Sequence, residues 1–192
     1  MNFPELYILR HGETVWNAQS RMQGNLNSPL TEKGVAHARQ QARILTECDL
    51  KGFQFLCSPQ GRAFQTAGLA LAEIADEIQT DRRLREIGVG DWTGVLRSEL
   101  LAQAGLDVTE GPDGNIMLYE SAPGGEGFDA LEARCREFLA DLKGPSVLVT
   151  HGITSRMLRS IVLDLGRDGL AELPGGQGNV FHLKDGVQIE LT

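Results

Sequence analysis

Cysteine is scarce in this chain and unpaired in its spacing. Only Cys48, Cys57 and Cys135 occur in 192 residues, with no CxxC. An odd, well-separated set excludes a disulfide framework and points to reduced, core-filling thiols in a cytoplasmic protein. The four histidines are likewise scattered, without ligand-like spacing, so no metal site is expected, and no cofactor. There is no Gly-rich phosphate loop of either nucleotide type. No apolar run is long enough to cross a membrane, and Met1–Glu5 lacks the basic region of a secretory signal. Positive charge is in deficit: 18 Lys and Arg against 26 Asp and Glu, a net charge of −8. That balance argues against a nucleic-acid or anionic-membrane surface.

What remains is an ordinary globular composition at a length that suits one compact domain, residues 1–192. Apolar runs near Leu6–Leu9, Phe53–Cys57 and Val147–Thr150 are continuous rather than alternating, which fits strands buried on both faces. Helical stripes lie between and after them: Val35, Ala38, Ala42 and Leu45 behind a Thr31 cap; Ala63, Ala67, Leu71 and Ile74; Leu131, Cys135, Phe138 and Leu142; Met157, Leu158, Ile161, Val162 and Leu165. Residues 178–191 read as a hairpin turning at Asp185-Gly186. The alternation predicts an α/β fold with a sheet between helices. The Gly-, Pro- and Asp-rich stretch from Ala104 to Gly125 is expected to be an irregular lid or specificity loop. Tyr119, Met117 and Trp92 would form an apolar wall of the pocket, or would only pin the loop to the surface.

Chemistry concentrates in four places. The first strand runs directly into Arg10-His11-Gly12-Glu13-Thr14, delivering a cation and an imidazole to the lip of the sheet, where open α/β folds place ligands. Gly12 is expected to turn the chain sharply and admit a bulky anion, and Asn17 to donate a further hydrogen bond. Ser58-Pro59 opens a helix that carries Arg62 near its N-terminus, favourable to anions. Leu84-Arg85-Glu86 offers an acid among glycines. A later buried strand ends in His151-Gly152, a second strand–His–Gly junction.

These residues resemble the histidine phosphatase superfamily, also called phosphoglycerate mutase-like. So do Arg21-Met22-Gln23-Gly24, Pro29-Leu30-Thr31-Glu32-Lys33-Gly34 and Pro123-Gly124-Gly125-Glu126. The resemblance implies a three-layer α/β/α fold with a mixed, mostly parallel six-stranded sheet, and a small phosphorylated substrate as partner. It supports His11 as a nucleophile that becomes a phosphohistidine. Arg10, Asn17, Arg62 and His151 would hold the transferring oxygens. Guanidinium neighbours should keep His11 uncharged, and their forked donors suit phosphate. Glu86 is the best proton donor, with Asp91 as an alternative. Gln23 and Gly24 join Trp92 and Tyr119 as pocket candidates.

The other titratable residues read as structural. Glu13 is expected to brace its loop, His37 to occupy a solvated helix face, and His182 a strand position. Arg134, Arg136 and Lys143 are assigned to the solvated face of a helix. The short interval from Glu86 to His151 lacks the longer insertion with paired arginines of the mutase branch. The expected activity is therefore a metal-independent phosphomonoesterase, with phosphoglycerate mutase as the alternative and a non-catalytic phosphate-binding protein behind it. A homodimer stays open.

Overall fold

The computed structural model describes residues 3–103 and 116–192; the side chain of Met117 lies outside that set. Six strands form one sheet in the order β3-β2-β4-β1-β5-β6. They are β1 (Leu6–Arg10), β2 (Gln54–Cys57), β3 (Gln79–Thr80), β4 (Ser146–Thr150), β5 (Val180–Lys184) and β6 (Val187–Leu191). β3, β2, β4 and β1 run parallel, and β5 and β6 are antiparallel additions at one edge.

The apolar runs of β1 and β4 are continuous because helices cover both faces. Alternate side chains go to opposite layers. Leu6, Ile8 and Leu148 pack with Phe128, Leu131, Phe138 and Leu158 of α5 (Gly127–Asp141) and α6 (Gly152–Val162). Tyr7, Leu9, Val147 and Val149 pack with Leu45, Ala63, Ala67 and Leu71 of α2 (Glu32–Thr46) and α3 (Gly61–Leu71). The result is the three-layer α/β/α architecture with a mixed, mostly parallel sheet. Asp185 and Gly186 both take positive φ (51° and 74°), the two-residue turn expected of this hairpin.

Several sequence expectations shift. Thr31 caps α2 through its side chain as expected, but the buried stripe is Gly34, Ala38, Gln41 and Leu45. Val35 and Ala42 are only half-buried because the polar Gln41 turns inward. α3 begins at Gly61, two residues after Pro59, and ends before Ile74. Leu165 lies beyond α6 and is exposed, whereas Arg156 and Arg159 of that helix are buried. Cys57 and Cys135 fill the core; Cys48 is half-buried, and all three are free. Most of the expected lid, residues 104–115, lies outside the described residues. Its apolar end does not behave as a loop: Ile116–Ser121 form a 3-10 helix, with Ile116 and Leu118 buried in the core. No helix among the described residues is long and apolar enough to span a membrane.

Candidate active site

Because β1 and β4 are parallel neighbours with Arg10 opposite Thr150, the residues that follow each strand emerge side by side. The His11 N–H donates to the Thr150 carbonyl at 3.0 Å. The imidazoles of His11 and His151 end with centroids 5.1 Å apart and planes at 61°. Both are almost fully buried. A single register therefore brings together two histidines that are far apart in the chain.

The His11 tautomer follows from its partners. Nδ1 lies 2.8 Å from the Gly12 carbonyl, which can only accept, so Nδ1 carries the proton. Nε2 is then a lone pair, and it accepts from Arg62 Nε at 3.2 Å. Burial, then Arg62, then Arg10 hold the His11 pKa well below the usual histidine value. His151 is lowered in the same way by burial and Arg62. Its Nε2 lies 2.8 Å from Ser58 Oγ, and Ser58 Oγ already accepts from the Gln60 N–H. With the Ser58 hydroxyl donating to Nε2, the His151 proton sits on Nδ1. His151 Nδ1–H is then a buried donor with no partner among the described residues.

Arg62 sits in the first turn of α3 and is 1% exposed. Its guanidinium donates to the Leu26 and Gly24 carbonyls at 2.7 and 3.0 Å, as well as to His11. Burial pushes its pKa down to about 10, with Glu86 acting against that shift. Gly24 has φ +48° with Val89 pressed against it, so it supplies a carbonyl to the site rather than open space. The Arg10 guanidinium lies on Gly152, whose Cβ would come within 3.2 Å of Arg10 Cζ.

Gly12 owes its place to a different cause from the one its sequence suggests. Its φ is not positive. A Cβ there would stand 2.1 Å from the Gly34 carbonyl oxygen, and one on Gly34 would stand 2.0 Å from the Glu13 carbonyl oxygen. The two glycines let the start of α2 touch the nucleophile turn.

Glu86 is buried and caps α6 from another segment. Oε2 accepts from the Ile153 N–H at 3.2 Å. Oε1 accepts from the Thr154 N–H and the Ile87 N–H, and the Thr154 hydroxyl, which donates to the Arg85 carbonyl at 2.7 Å, lies 3.1 Å from it. The carboxylate thus rests on the positive end of the helix that begins after His151. The alternative acid, Asp91, is exposed. Gln60 ties the pieces together: its Oε1 accepts from the Glu86 N–H and its Nε2 donates to the Gly24 carbonyl.

Pro123-Gly124-Gly125-Glu126 braces the Glu86 segment. Gly90 comes so close to Pro123 and Gly124 that no side chain fits. Glu126 accepts from the Gly88 N–H and is held by Arg134, which contacts both carboxylate oxygens. Arg134 is therefore mostly buried at this brace, not solvated as the helical pattern suggests. Arg136 pairs with Glu132 at the surface, and Lys143 is exposed, in keeping with a solvated position.

Asn17 completes a capping box with Thr14, so its Oδ1 accepts from the Thr14 N–H and Nδ2 is left as its donor end. Gln23 is buried and donates to the Thr14 hydroxyl. Trp92 and Tyr119 are half-buried against the core, and Arg97 lies over the Tyr119 ring at 5.9 Å. Tyr119 is also near enough to Arg62 to act on its charge. Glu13 accepts from Thr31 and Lys33, bracing its loop. His37 is not on a free face: Nδ1 accepts from the Glu13 N–H and the ring packs against Gly178. His182 stacks on Tyr7 within the sheet at 4.3 Å.

Sequence reading misses the amides and hydroxyls behind these groups. Thr66 Oγ1 accepts from the Gly12 N–H. Gln41 donates to the Arg10 carbonyl at 2.9 Å and Gln177 to the His11 carbonyl at 2.9 Å. Only Gln41 leaves a trace, as a polar residue beside an apolar stripe. No cluster of metal-ligating side chains occurs among the described residues.

The family model of the histidine phosphatase superfamily (branch 1) matches residues 6–185. Phosphoglycerate mutase-like protein 4 of Arabidopsis thaliana is 32% identical over 192 residues, covering 97% of this chain and 82% of that protein. The probable phosphoglycerate mutase GpmB of an Enterobacter species is 36% identical over 170 residues, covering 84% and 75%. A mycobacterial glucosyl-3-phosphoglycerate phosphatase structure, solved with VO3, superposes with a TM-score of 0.77 at 30% identity, covering 94% and 92%. With the two strand–His–Gly junctions brought onto adjacent strands, and the family match running through both, this chain belongs to the histidine phosphatase superfamily.

Proposed function

We propose that this chain hydrolyses the phosphomonoester of a small metabolite through a phosphohistidine on His11, without a metal ion. The observation that carries the reading is the uncharged His11 imidazole, its Nδ1 proton pinned on Gly12 and its Nε2 lone pair facing Arg62. A phosphate ester is a dianion and a poor electrophile, so positioning and charge dominate its catalysis. In an acidic chain, the local cations Arg10 and Arg62 supply that charge.

In the first step, His11 Nε2 bonds to phosphorus as the ester P–O bond breaks, and the alkoxide takes a proton from Glu86. Water then attacks phosphorus, its proton passes to Glu86, and the N–P bond breaks to release phosphate. Glu86 Oε2, with one backbone donor against two on Oε1, has the capacity to carry that proton. His151 Nδ1–H, Arg10, Arg62 and Asn17 Nδ2 would hold the transferring oxygens.

The relatives' names bear on the choice of ester. They favour phosphoglycerates and their sugar conjugates as the first compounds to try. The same names keep phosphoglycerate mutase as the second reading. Hydrolysis is preferred because the interval from Glu86 to His151 is short and its Arg134 is committed to Glu126.

The test is turnover of para-nitrophenyl phosphate in excess chelator, with acid-quenched trapping of the phosphoenzyme in wild type and His11→Ala. Chelator-resistant turnover, with label lost in the variant, supports the reading. Normal labelling of His11→Ala, or strict dependence on added divalent metal, overturns it. A parallel assay of phosphoglycerate interconversion with a bisphosphoglycerate primer decides between hydrolase and mutase.

A further inference from the structure

We infer that Gln177 is a positioning residue, one that orients Asn17 for phosphate and locks the nucleophile turn to the C-terminal loop. The inference rests on the phosphate-binding reading of the site given above. Gln177 Nε2 donates to the His11 carbonyl at 2.9 Å and reaches Asn17 Oδ1 at 3.4 Å. The His11 carbonyl can only accept, which fixes the nitrogen end of the Gln177 amide on this side. Asn17 Oδ1 also accepts from the Thr14 N–H. With that oxygen held from two directions, the Asn17 amide cannot flip, and Nδ2 stays its donor end.

The loop around Gln177 is built to present it. Gly176 and Gly178 flank it with φ of +118° and +90°, values that L side chains rarely adopt. Gly178 lies so close to His37 and Gln40 of α2 that a Cβ would crowd both. On one side, Arg159 donates to the Pro174 carbonyl at 2.8 Å. On the other, Gln41 donates to the Asn179 carbonyl at 3.1 Å while also holding Arg10. The arch is thus tied at both ends to elements that carry the site, and its one long polar side chain points back at the nucleophile. Its separation from His11 by 166 residues hides this link from any local pattern.

The experiment combines kinetics with direct binding. Gln177→Ala, Asn17→Ala and the double variant are assayed with para-nitrophenyl phosphate, and inorganic phosphate binding is measured calorimetrically. Gln177→Ala should weaken phosphate binding and raise KM about tenfold, on the order expected for a lost hydrogen bond near a charged ligand. kcat should fall less. In the Asn17→Ala background the same substitution should change phosphate affinity less than about twofold. An unchanged affinity in Gln177→Ala, or an equal loss in both backgrounds, overturns the inference. A fall in melting temperature with kinetics and binding intact also overturns it, since that marks a purely structural role. Failure of the wild type itself to bind phosphate would instead sink the underlying reading of the site.

Discussion

Arg62 Nε donates to the Nε2 of His11 at 3.2 Å, so a guanidinium occupies the lone pair that the proposed chemistry needs. The two groups hold each other in place: the imidazole stays neutral, and the guanidinium is aimed where phosphate would arrive. Substrate must take over that donor, which frees the lone pair for attack. Lysine in place of Arg62 cannot make the bonds to His11, Gly24 and Leu26 at once. Arg62→Lys should lower kcat/KM by roughly a thousandfold, the scale for losing an oxyanion-type donor. Steady-state kinetics check this, and a loss below about tenfold would remove Arg62 from the transition state.

Acid should weaken the fold earlier than carboxylate titration alone would. His11 and His151 both have folded-state pKa values well below that of a free histidine. Between about pH 6.5 and those lowered values, the unfolded chain binds protons that the folded chain does not. Stability therefore falls as pH drops below about 6.5, by up to about 1.4 kcal/mol per pH unit for each imidazole. The lowered carboxylates of Glu13, Asp81 and Glu126 add a loss of the same sign further into acid, around their unfolded values near 4. Urea midpoints across roughly pH 4 to 8 with imidazole NMR titration test this; a flat midpoint between about pH 6.5 and 5 would contradict it.

Two glycines should respond in opposite directions to alanine. Gly12→Ala drives a Cβ onto the Gly34 carbonyl, and backbone cannot yield cheaply. It should cost about 3 kcal/mol or more and abolish turnover. Gly68 lies within α3, is exposed and has open space where a methyl group would stand. Gly68→Ala should stabilise by about 0.5–1 kcal/mol with unchanged kinetics. Chemical denaturation of both reads the contrast.

Glu126 acts on the site from a distance. Glu126→Ala strips Arg134 of its carboxylate and leaves the Gly88 N–H without that acceptor, close to Glu86 in the chain. The expected cost is about 2 kcal/mol of stability, with a kcat lowered about tenfold because the acid is no longer held in place. Glu126→Gln keeps an acceptor for Gly88 and should recover most of kcat. Equal kcat values for the two variants would argue against a positioning role.

Periodicity is an uneven guide to this chain. The strands that end at Arg10 and Thr150 are readable because burial on both faces leaves an unbroken apolar run. The hairpin turn is readable because positive φ selects Asp-Gly. Apolar spacing misplaces the stripe of α2 by part of a turn, since Gln41 is buried for its hydrogen bonds to Arg10 and Asn179, which hydrophobicity cannot register. It puts Arg134 and His37 in solvent for the same reason: their partners, Glu126 and the Glu13 N–H, are not helix neighbours.

The order of residues along the chain, by itself, determined which strands are buried, where they stop, and that each of two ends in an imidazole followed by glycine. Those are local properties, set by side-chain hydrophobicity and backbone freedom. Only the tertiary structure decided that the two imidazoles meet, because that depends on β1 and β4 pairing with Arg10 opposite Thr150. It alone decided the His11 tautomer, the capping of α6 by Glu86 and the reach of Gln177, since a hydrogen bond is specified by where its partner comes to rest in space.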